Sequence, residues 1–277
     1  MSIGNIVEVL SANCQGLRDF KKRRDVLNYF EEINPEILCL QDTHWVQSDE
    51  SNIKKLWKGE CVINGGKTNA RGVAILFNAN FEYQINRIIK DDNGNMLILN
   101  LQIGGLVFTI VNIYSPNSDS PQFFNCIKEY IETIEQDYVI ICGDLNLILD
   151  FDKDSKNYIG INNPGARNRL KEIMKELNLI DIYRFQHPEK IRYTWRRRHP
   201  IKQARLDYFI ISNALSDTVS KSDILPRYRS DHSTIKLQIL LNEFKRGQGV
   251  WKLNTSLLKI PEYIQLINDT SPLNLRY

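Results

Sequence analysis

Hydrophobic positions along this chain fall into short, wholly apolar runs that each stop at a polar cluster. The fullest case is 138–146, Tyr-Val-Ile-Ile-Cys-Gly-Asp-Leu-Asn. Val139 to Cys142 has the length and composition of a strand and no polar partner to alternate with, which suits a strand buried on both faces. Gly143 ends the run. Asp144 and Asn146, two residues apart, project the same way if the extension continues. The pattern recurs at 6–13, where Ile6, Val7, Val9 and Leu10 precede Asn13-Cys14-Gln15-Gly16. It recurs at 36–41, before Asp42-Thr43-His44, and at 106–114, before Ser115-Pro116-Asn117.

Between these runs the spacing changes to that of helices. Residues 21–33 place Val26, Leu27, Phe30 and Ile33 on one face and Lys21, Lys22, Arg23 and Arg24 on the other. Residues 49–57, 122–134 and 168–177 also read as helices, the second with Phe123, Ile127, Ile131 and Ile134 on one face. Strands are predicted at 60–64, 72–77, 81–90, 96–103 and 234–241, with hairpin turns at Asp91-Asp92-Asn93-Gly94 and Gly104-Gly105. Residues 150–165 read as a loop. Residues 193–195 and 205–211 read as a strand pair joined by 196–204. Sheet and helix thus alternate loosely, which predicts an α/β sandwich: two mixed sheets packed face to face, flanked by helices as a four-layered structure. After 242, Lys245-Arg246-Gly247-Gln248-Gly249 reads as a linker, and the remainder looks too small for a core of its own.

Composition narrows the class only slightly. The 277 residues are 42% hydrophobic and 25% charged, ordinary for a globular chain. A net charge of +3 permits a nucleic-acid partner without demanding one. The five cysteines are scattered without Cys-x-x-Cys spacing, so reduced thiols in a reducing compartment are expected and zinc is not. The first residues carry no basic region followed by an apolar core, and no apolar run approaches the roughly 20 residues that span a bilayer. The expectation is a soluble, intracellular monomer with no membrane partner, in the nucleus or cytoplasm.

The candidate chemistry lies where the runs stop. Asn13, Asp42, Asp144 with Asn146, Asp207, and Asp231 with His232 come from five separate segments. Hard oxygen donors of this kind suit Mg2+ or Mn2+ rather than zinc. The reaction they suggest is metal-assisted phosphodiester hydrolysis: a cation steadies phosphoryl and leaving oxygens while a carboxylate or imidazole handles the attacking water.

Five motifs in order carry a resemblance: Leu40-Gln41-Asp42-Thr43-His44, Asn112-Ile113-Tyr114-Ser115-Pro116-Asn117, Gly143-Asp144-Leu145-Asn146, Arg205-Leu206-Asp207-Tyr208 and Ser230-Asp231-His232. Over roughly 6–241 the chain resembles the endonuclease/exonuclease/phosphatase superfamily. That superfamily includes apurinic/apyrimidinic endonucleases, exonuclease III, sphingomyelinases and inositol-polyphosphate phosphatases. The resemblance implies that Asn13, Asp42 and Asp231 serve the metal. It implies that Asp144 orients or deprotonates the water and that Asn146 holds the water or the phosphate. Tyr114 would reach the phosphate or leaving group, and His232 the scissile phosphate, with Asp207 fixing its tautomer. Two positions depart from the pattern. The family usually has Glu where Asp42 stands, one methylene longer, and cellular abasic-site enzymes tend to carry Asp where Gln15 stands.

Within the superfamily, Thr194-Trp195-Arg196-Arg197-Arg198 with Arg205-Leu206-Asp207-Tyr208 looks like LINE-type retrotransposon endonucleases, and the tail Gly249-Val250-Trp251-Lys252-Leu253-Asn254 looks like the segment that follows the endonuclease in retrotransposon polyproteins. The implied hairpin would touch DNA through Thr194, Arg196, Arg197, Arg198, His199, Lys202 and Arg205; clustered arginines favour phosphate or a narrow minor groove. Residues 1–241 would be the nuclease domain. Residues 242–277 would be a linker into a reverse transcriptase region that this chain does not contain. The expected activity is Mg2+-dependent nicking of one DNA strand that leaves a 3′-hydroxyl. One alternative keeps the fold and changes the substrate: an abasic-site or exonuclease III-like repair nuclease, or a lipid or inositol phosphoesterase. Another is a catalytically weakened remnant that only binds nucleic acid.

Overall fold

The computed structural model describes residues 6–67, 70–134, 136, 138–158 and 162–241, and the expected linker and tail from 242 lie outside them. The strands of the first half are β1 (Ile6–Asn13), β2 (Ile37–Gln41), β3 (Cys61–Asn64), β4 (Val73–Phe77), β5 (Gln84–Lys90), β6 (Met96–Ile103) and β7 (Leu106–Tyr114). Those of the second half are β8 (Tyr138–Asp144), β9 (Ser155–Lys156), β10 (Leu179–Asp181), β11 (Trp195–Arg197), β12 (Lys202–Ala204), β13 (Asp207–Ser212), β14 (Val219–Ile224) and β15 (Ile235–Leu240). The helices are α1 (Phe20–Ile33), α2 (Glu50–Ile53), α3 (Pro121–Glu132), α4 (Phe151–Asp154), α5 (Pro164–Glu176) and α6 (Ile182–Gln186).

Two six-stranded mixed sheets result, ordered β14-β15-β1-β2-β4-β3 and β10-β13-β8-β7-β6-β5. In each, one parallel pair holds the centre, β1 with β2 and β7 with β8, and antiparallel strands flank it. The all-apolar runs lie in this centre because both their faces are covered. Val7, Val9 and Ile37 of the first sheet meet Ile103, Phe108, Ile110 and Ile140 of the second around a small apolar void. On the outer faces, α1 and Trp45 and Trp57 cover the first sheet, and α3 and α5 cover the second. The expected four-layered α/β sandwich is therefore present. No helix among the described residues is long and apolar enough to cross a membrane.

Near the site, polar groups replace apolar ones between the sheets, and they are largely paired, although Gln41 Oε1 and Asp207 Oδ1 have no partner among the described residues. Asn112 on β7 donates to the carbonyls of Leu40 and Ala74 at 3.0 and 2.8 Å and accepts from Gln41 Nε2 at 2.7 Å. A buried carboxamide so satisfied fixes the register of one sheet against the other.

Several elements differ from the sequence expectation. Helix α2 is only one turn, because Trp57 leaves it to bury its ring and donate Nε1–H to the Phe77 carbonyl at 2.7 Å. The segment expected as a loop at 150–165 holds α4 and β9, and α5 begins at Pro164. Proline suits a first helical turn, and the Asp119 carboxylate accepts from the N–H groups of Gly165 and Ala166 there. The expected pairing of 193–195 with 205–211 does not occur. The basic segment between them is itself a hairpin, β11 with β12, while β13 inserts between β8 and β10. Apolarity decides this: 207–211 is wholly buried and fits the second sheet, whereas Arg196 and Arg197 require water.

Candidate active site

Strand ends deliver the polar groups. Asp144 closes β8, and its register partners are Tyr114 at the end of β7 and Asp207 at the start of β13. Asn13 closes β1 in the facing sheet. Gly143 lets β8 reach this point: its φ is +128°, and an added Cβ would lie 2.0 Å from the Ile113 carbonyl oxygen. A side chain there would push β7 and β8 apart, and with them Tyr114 and Asp144.

The described geometry joins Asn13, Asp144, Asp207 and His232 into one buried group. Asn13 Nδ2 donates to Asp144 Oδ2 at 2.9 Å, and the Asn146 backbone N–H donates to Asp144 Oδ1 at 3.0 Å. His232 Nδ1 lies 2.8 Å from Asp207 Oδ2, and its Nε2 lies 3.8 Å from Asp144 Oδ2. Ser230 ties the loop down, donating its hydroxyl to the Asn13 carbonyl at 2.8 Å. Asn146, with φ +48°, donates Nδ2–H to the Ser115 carbonyl at 2.8 Å.

Burial and charge set the proton affinities here. Burial pushes the Asp144 carboxyl up to about 7, with Asp207 adding to it and the His232 charge opposing. For His232, burial works against the charged ring, but Asp207 and Asp144 outweigh it and raise the imidazole to about 10. The favoured state near neutral pH is thus an imidazolium paired with Asp207, and Asp144 is the group placed to exchange a proton. The Tyr114 phenol is raised first by burial and then by Asp42, Asp144 and Asp231, with Arg71 opposing. Tyr114 therefore keeps its proton and is a donor.

Asp42 and Asp231 lie beside the buried group, Asp42 through the Gly16 N–H that donates to its carbonyl at 2.8 Å and Asp231 as the residue before His232. Asp42 follows β2 with φ +49°, and His44 Nε2 lies 3.1 Å from its Oδ1. Asp231 Oδ2 accepts from Trp195 Nε1 at 3.0 Å. Asp42, Asp144 and Asp231 thus bring three carboxyl groups to this end of the two sheets, and a divalent cation would offset their charge. These are acceptor-only oxygens of the kind Mg2+ prefers. Asp144, Asp207 and His232 present ligand atoms within 4.8 Å of one another. Asn13, Asp42 and Asp231 carry oxygen donors of the kind a divalent cation takes.

The expected DNA-contacting residues divide. Arg196, Arg197, Arg198 and His199 are exposed on the hairpin, and Lys202 is half-buried beside the Tyr158 ring. Arg205 is not among them. It is 1% exposed and locked between Asp154 and Asp181. Thr194 is also buried, its Oγ1 accepting from the N–H groups of Leu206 and Asp207 at 2.9 and 3.1 Å. Both residues sit on the inner side of the β12–β13 connection, so they support the hairpin and the Asp207 backbone. A bridge between Trp195 and His232 fastens the hairpin to the site.

Two contributors are not assigned by the sequence alone. His44 stands in the quoted Leu-Gln-Asp-Thr-His motif, and its spacing from Asp42 is the available signal. Arg71 follows no motif, and only the fold carries it toward Tyr114.

The pattern of the Endonuclease/Exonuclease/phosphatase family matches residues 10–232. The chain is 26% identical over 269 residues to the 149 kDa protein of transposon TX1 from Xenopus laevis, covering 95% of this chain and 20% of that protein. It therefore spans about a fifth of that relative's length. It is 25% identical over 266 residues to an exodeoxyribonuclease of Bacillus subtilis, covering 84% of this chain and 99% of that one. Among solved structures, the AP endonuclease LMAP from Leishmania major superposes with a TM-score of 0.73 at 21% identity, over 87% of this chain and 89% of that one. The 3′ phosphatase NExo from Neisseria, bound to a product DNA hairpin, superposes with a TM-score of 0.68 at 18% identity, over 84% and 99%.

Proposed function

Since the chain belongs to the endonuclease/exonuclease/phosphatase family, we propose that it is a Mg2+-dependent DNA endonuclease of the retrotransposon type, nicking one strand and leaving a 3′-hydroxyl. The observation that carries this reading is the Trp195–His232 bridge, because it sets an arginine-rich hairpin against the proton-handling group. A phosphodiester strand held by Arg196, Arg197 and Arg198 then passes within reach of Asp144 and His232. The alignment of nearly the whole chain with a transposon protein supports the same branch.

In this mechanism Asp144 accepts a proton from the attacking water, which Asn146 orients. His232, held as a cation by Asp207, donates a hydrogen bond to a non-bridging oxygen of the scissile phosphate. Tyr114 donates to the leaving 3′-oxygen as the O3′–P bond breaks, and the 5′-phosphate stays on the other fragment. A divalent cation held by Asn13, Asp42 and Asp231 supplies neutralisation of phosphoryl charge when bound.

The matches to repair enzymes favour a second reading, an abasic-site nuclease. Incubation with supercoiled plasmid, and with the same plasmid bearing abasic sites, each with Mg2+ and with chelator, separates the two. Mg2+-dependent nicking of the intact plasmid is the expected result. Cleavage confined to the abasic plasmid moves the chain to the repair branch, and no cleavage of either overturns the nuclease reading.

The hairpin has its own test. Replacing Arg196, Arg197 and Arg198 together by Gln leaves up to three phosphates without a cationic partner. The slope of log affinity against log salt should flatten by roughly 0.9 for each such phosphate. An unchanged slope would make the hairpin a bystander.

A further inference from the structure

Strand order in the second sheet draws a line through the site. The hairpin joins at His232, then come Asp207 on β13, Asp144 on β8 and Tyr114 on β7, in register. The next strand, β6, begins where Met96 pairs with Ile113, and β5 ends where Lys90 pairs with Leu97. Beyond Tyr114 on this line, on the side away from the hairpin, a cleft of about 440 Å³ opens between the β5–β6 turn and the start of α3. Asn95, which lines the cleft, ties it to the Tyr114 backbone: the Tyr114 N–H donates to the Asn95 carbonyl at 2.8 Å, and Asn95 Nδ2 donates to the Tyr114 carbonyl at 2.6 Å.

The lining is divided by chemistry. Arg71 stands on the cleft with one guanidinium N–H on Asn95 Oδ1 at 3.2 Å, and Lys90 is exposed on the same rim. Met96, Pro116 and the partly buried ring of Phe123 supply apolar surface, and Gln122 is exposed above it. Of the two acidic residues, Asp91 turns its carboxylate to the backbone N–H groups of Asn93, Asn95 and Met96 and to Asn64 Nδ2, and Asp92 stays exposed on the rim. Cationic groups at a mouth, an aromatic face within, and carboxamides at the edge are the parts that bind one nucleotide: phosphate, base plane and base edge. The volume falls in the range of small-ligand sites, about 300–1,000 Å³.

We propose that this cleft receives one unstacked nucleotide of the bound DNA, near the cut and on the side opposite the hairpin. Its phosphate meets Arg71, its base lies on Phe123, and Gln122 reads the base edge. The proposal rests on the nuclease reading above. Strands lie about 4.8 Å apart, so β6 and β5 are roughly 10–15 Å from Asp144. At about 3.4 Å per stacked nucleotide, that reaches the first few positions from the cut. An unstacked base at that distance makes the nick depend on how easily the local step opens.

The test uses the full chain carrying Asp144→Asn, so that DNA stays uncut, and duplexes with 2-aminopurine at successive positions around a mapped nick site. Emission should rise on binding at one position on the side away from the hairpin. The rise should be lost when Phe123→Leu, which keeps an apolar side chain in the packing, is added. In the otherwise native enzyme Phe123→Leu should lower kcat/KM about tenfold, the size of one base–aromatic stack, with Tm held. Emission that stays flat at every position overturns the cleft proposal while leaving the nuclease reading intact. A rise that survives Phe123→Leu overturns it as well. Absence of both DNA binding and nicking removes the nuclease reading and this proposal together.

Discussion

Asp144→Asn and His232→Ala should each lower the single-turnover nicking rate by about 10³-fold or more, within the range that a positioned acid or base contributes. Asp144→Asn should leave Tm close to that of the native chain, whereas His232→Ala leaves the buried Asp207 carboxylate without its cation and should lower Tm. Asp144 is 1% exposed and its carboxyl is raised chiefly by burial, so the fold carries its charge as a cost and a neutral amide relieves it. The two side chains act through one proton-sharing group with Asp207. The double variant should therefore be little worse than either single one, and the two losses should not multiply. Asp207→Asn should follow the same pattern, because a carboxamide no longer holds the ring in its charged form. Rates from rapid-quench nicking, set beside thermal melts of the same proteins, decide it. Activity within tenfold of the native chain in either single variant would remove the site from the place assigned to it.

Much of the fold is legible because burial on both faces writes itself as an uninterrupted apolar run. The centres of both sheets are marked in this way at 6–13, 36–41, 106–114 and 138–144. Helices α1 and α3 are marked by their spacing, although α3 buries Phe124 where Phe123 is expected. What stays hidden is short or at an edge. Strand β10 has three residues, and β14, Val-Ser-Lys-Ser-Asp-Ile, pairs along one side only and needs little apolar surface. Residues 196–204 mislead because their charges read as a connection. A hairpin whose only buried apolar surface is Ala204 and part of Trp195 carries too short an apolar signal to show a hydrophobic period.

The site is legible for a related reason. Asn13, Asp144 and Asp207 each interrupt a run of apolar residues, and a polar group at the end of a buried strand must be paired or used. The residues that hold them are less visible. Thr194 and Ser230 act through hydroxyls on backbone groups, and nothing in their neighbours separates that from an ordinary loop. Arg205 misleads for the opposite reason: it closes a basic segment that opens with the exposed Arg196, Arg197 and Arg198, while its own neighbours in space are carboxylates.

The burial of Arg205 gives the second large effect. Arg205→Met should destabilise the folded chain by about 3–5 kcal/mol, the usual consequence of removing one partner from a buried ion pair. Arg205 Nε and Nη2 bond Asp154 at 2.9 and 2.8 Å, and Nη1 bonds Asp181 at 3.0 Å. Asp154 is fully buried, so after the substitution only Arg184 is left to face its charge among the cations bonded to it. The Arg205 plane also lies 4.3 Å from the Tyr208 ring centroid, so packing is lost along with charge. At roughly 2–4 °C per kcal/mol for a domain of this size, Tm should fall on the order of 10 °C. Asp154→Asn should be costly alone, yet less costly when Arg205→Met is already present, because the uncompensated charge is then gone. DNA affinity of the folded fraction, and its salt slope, should not change with Arg205→Met, in contrast to the triple hairpin variant. A flattened slope with an unmoved Tm would return Arg205 to the DNA surface and refute its burial.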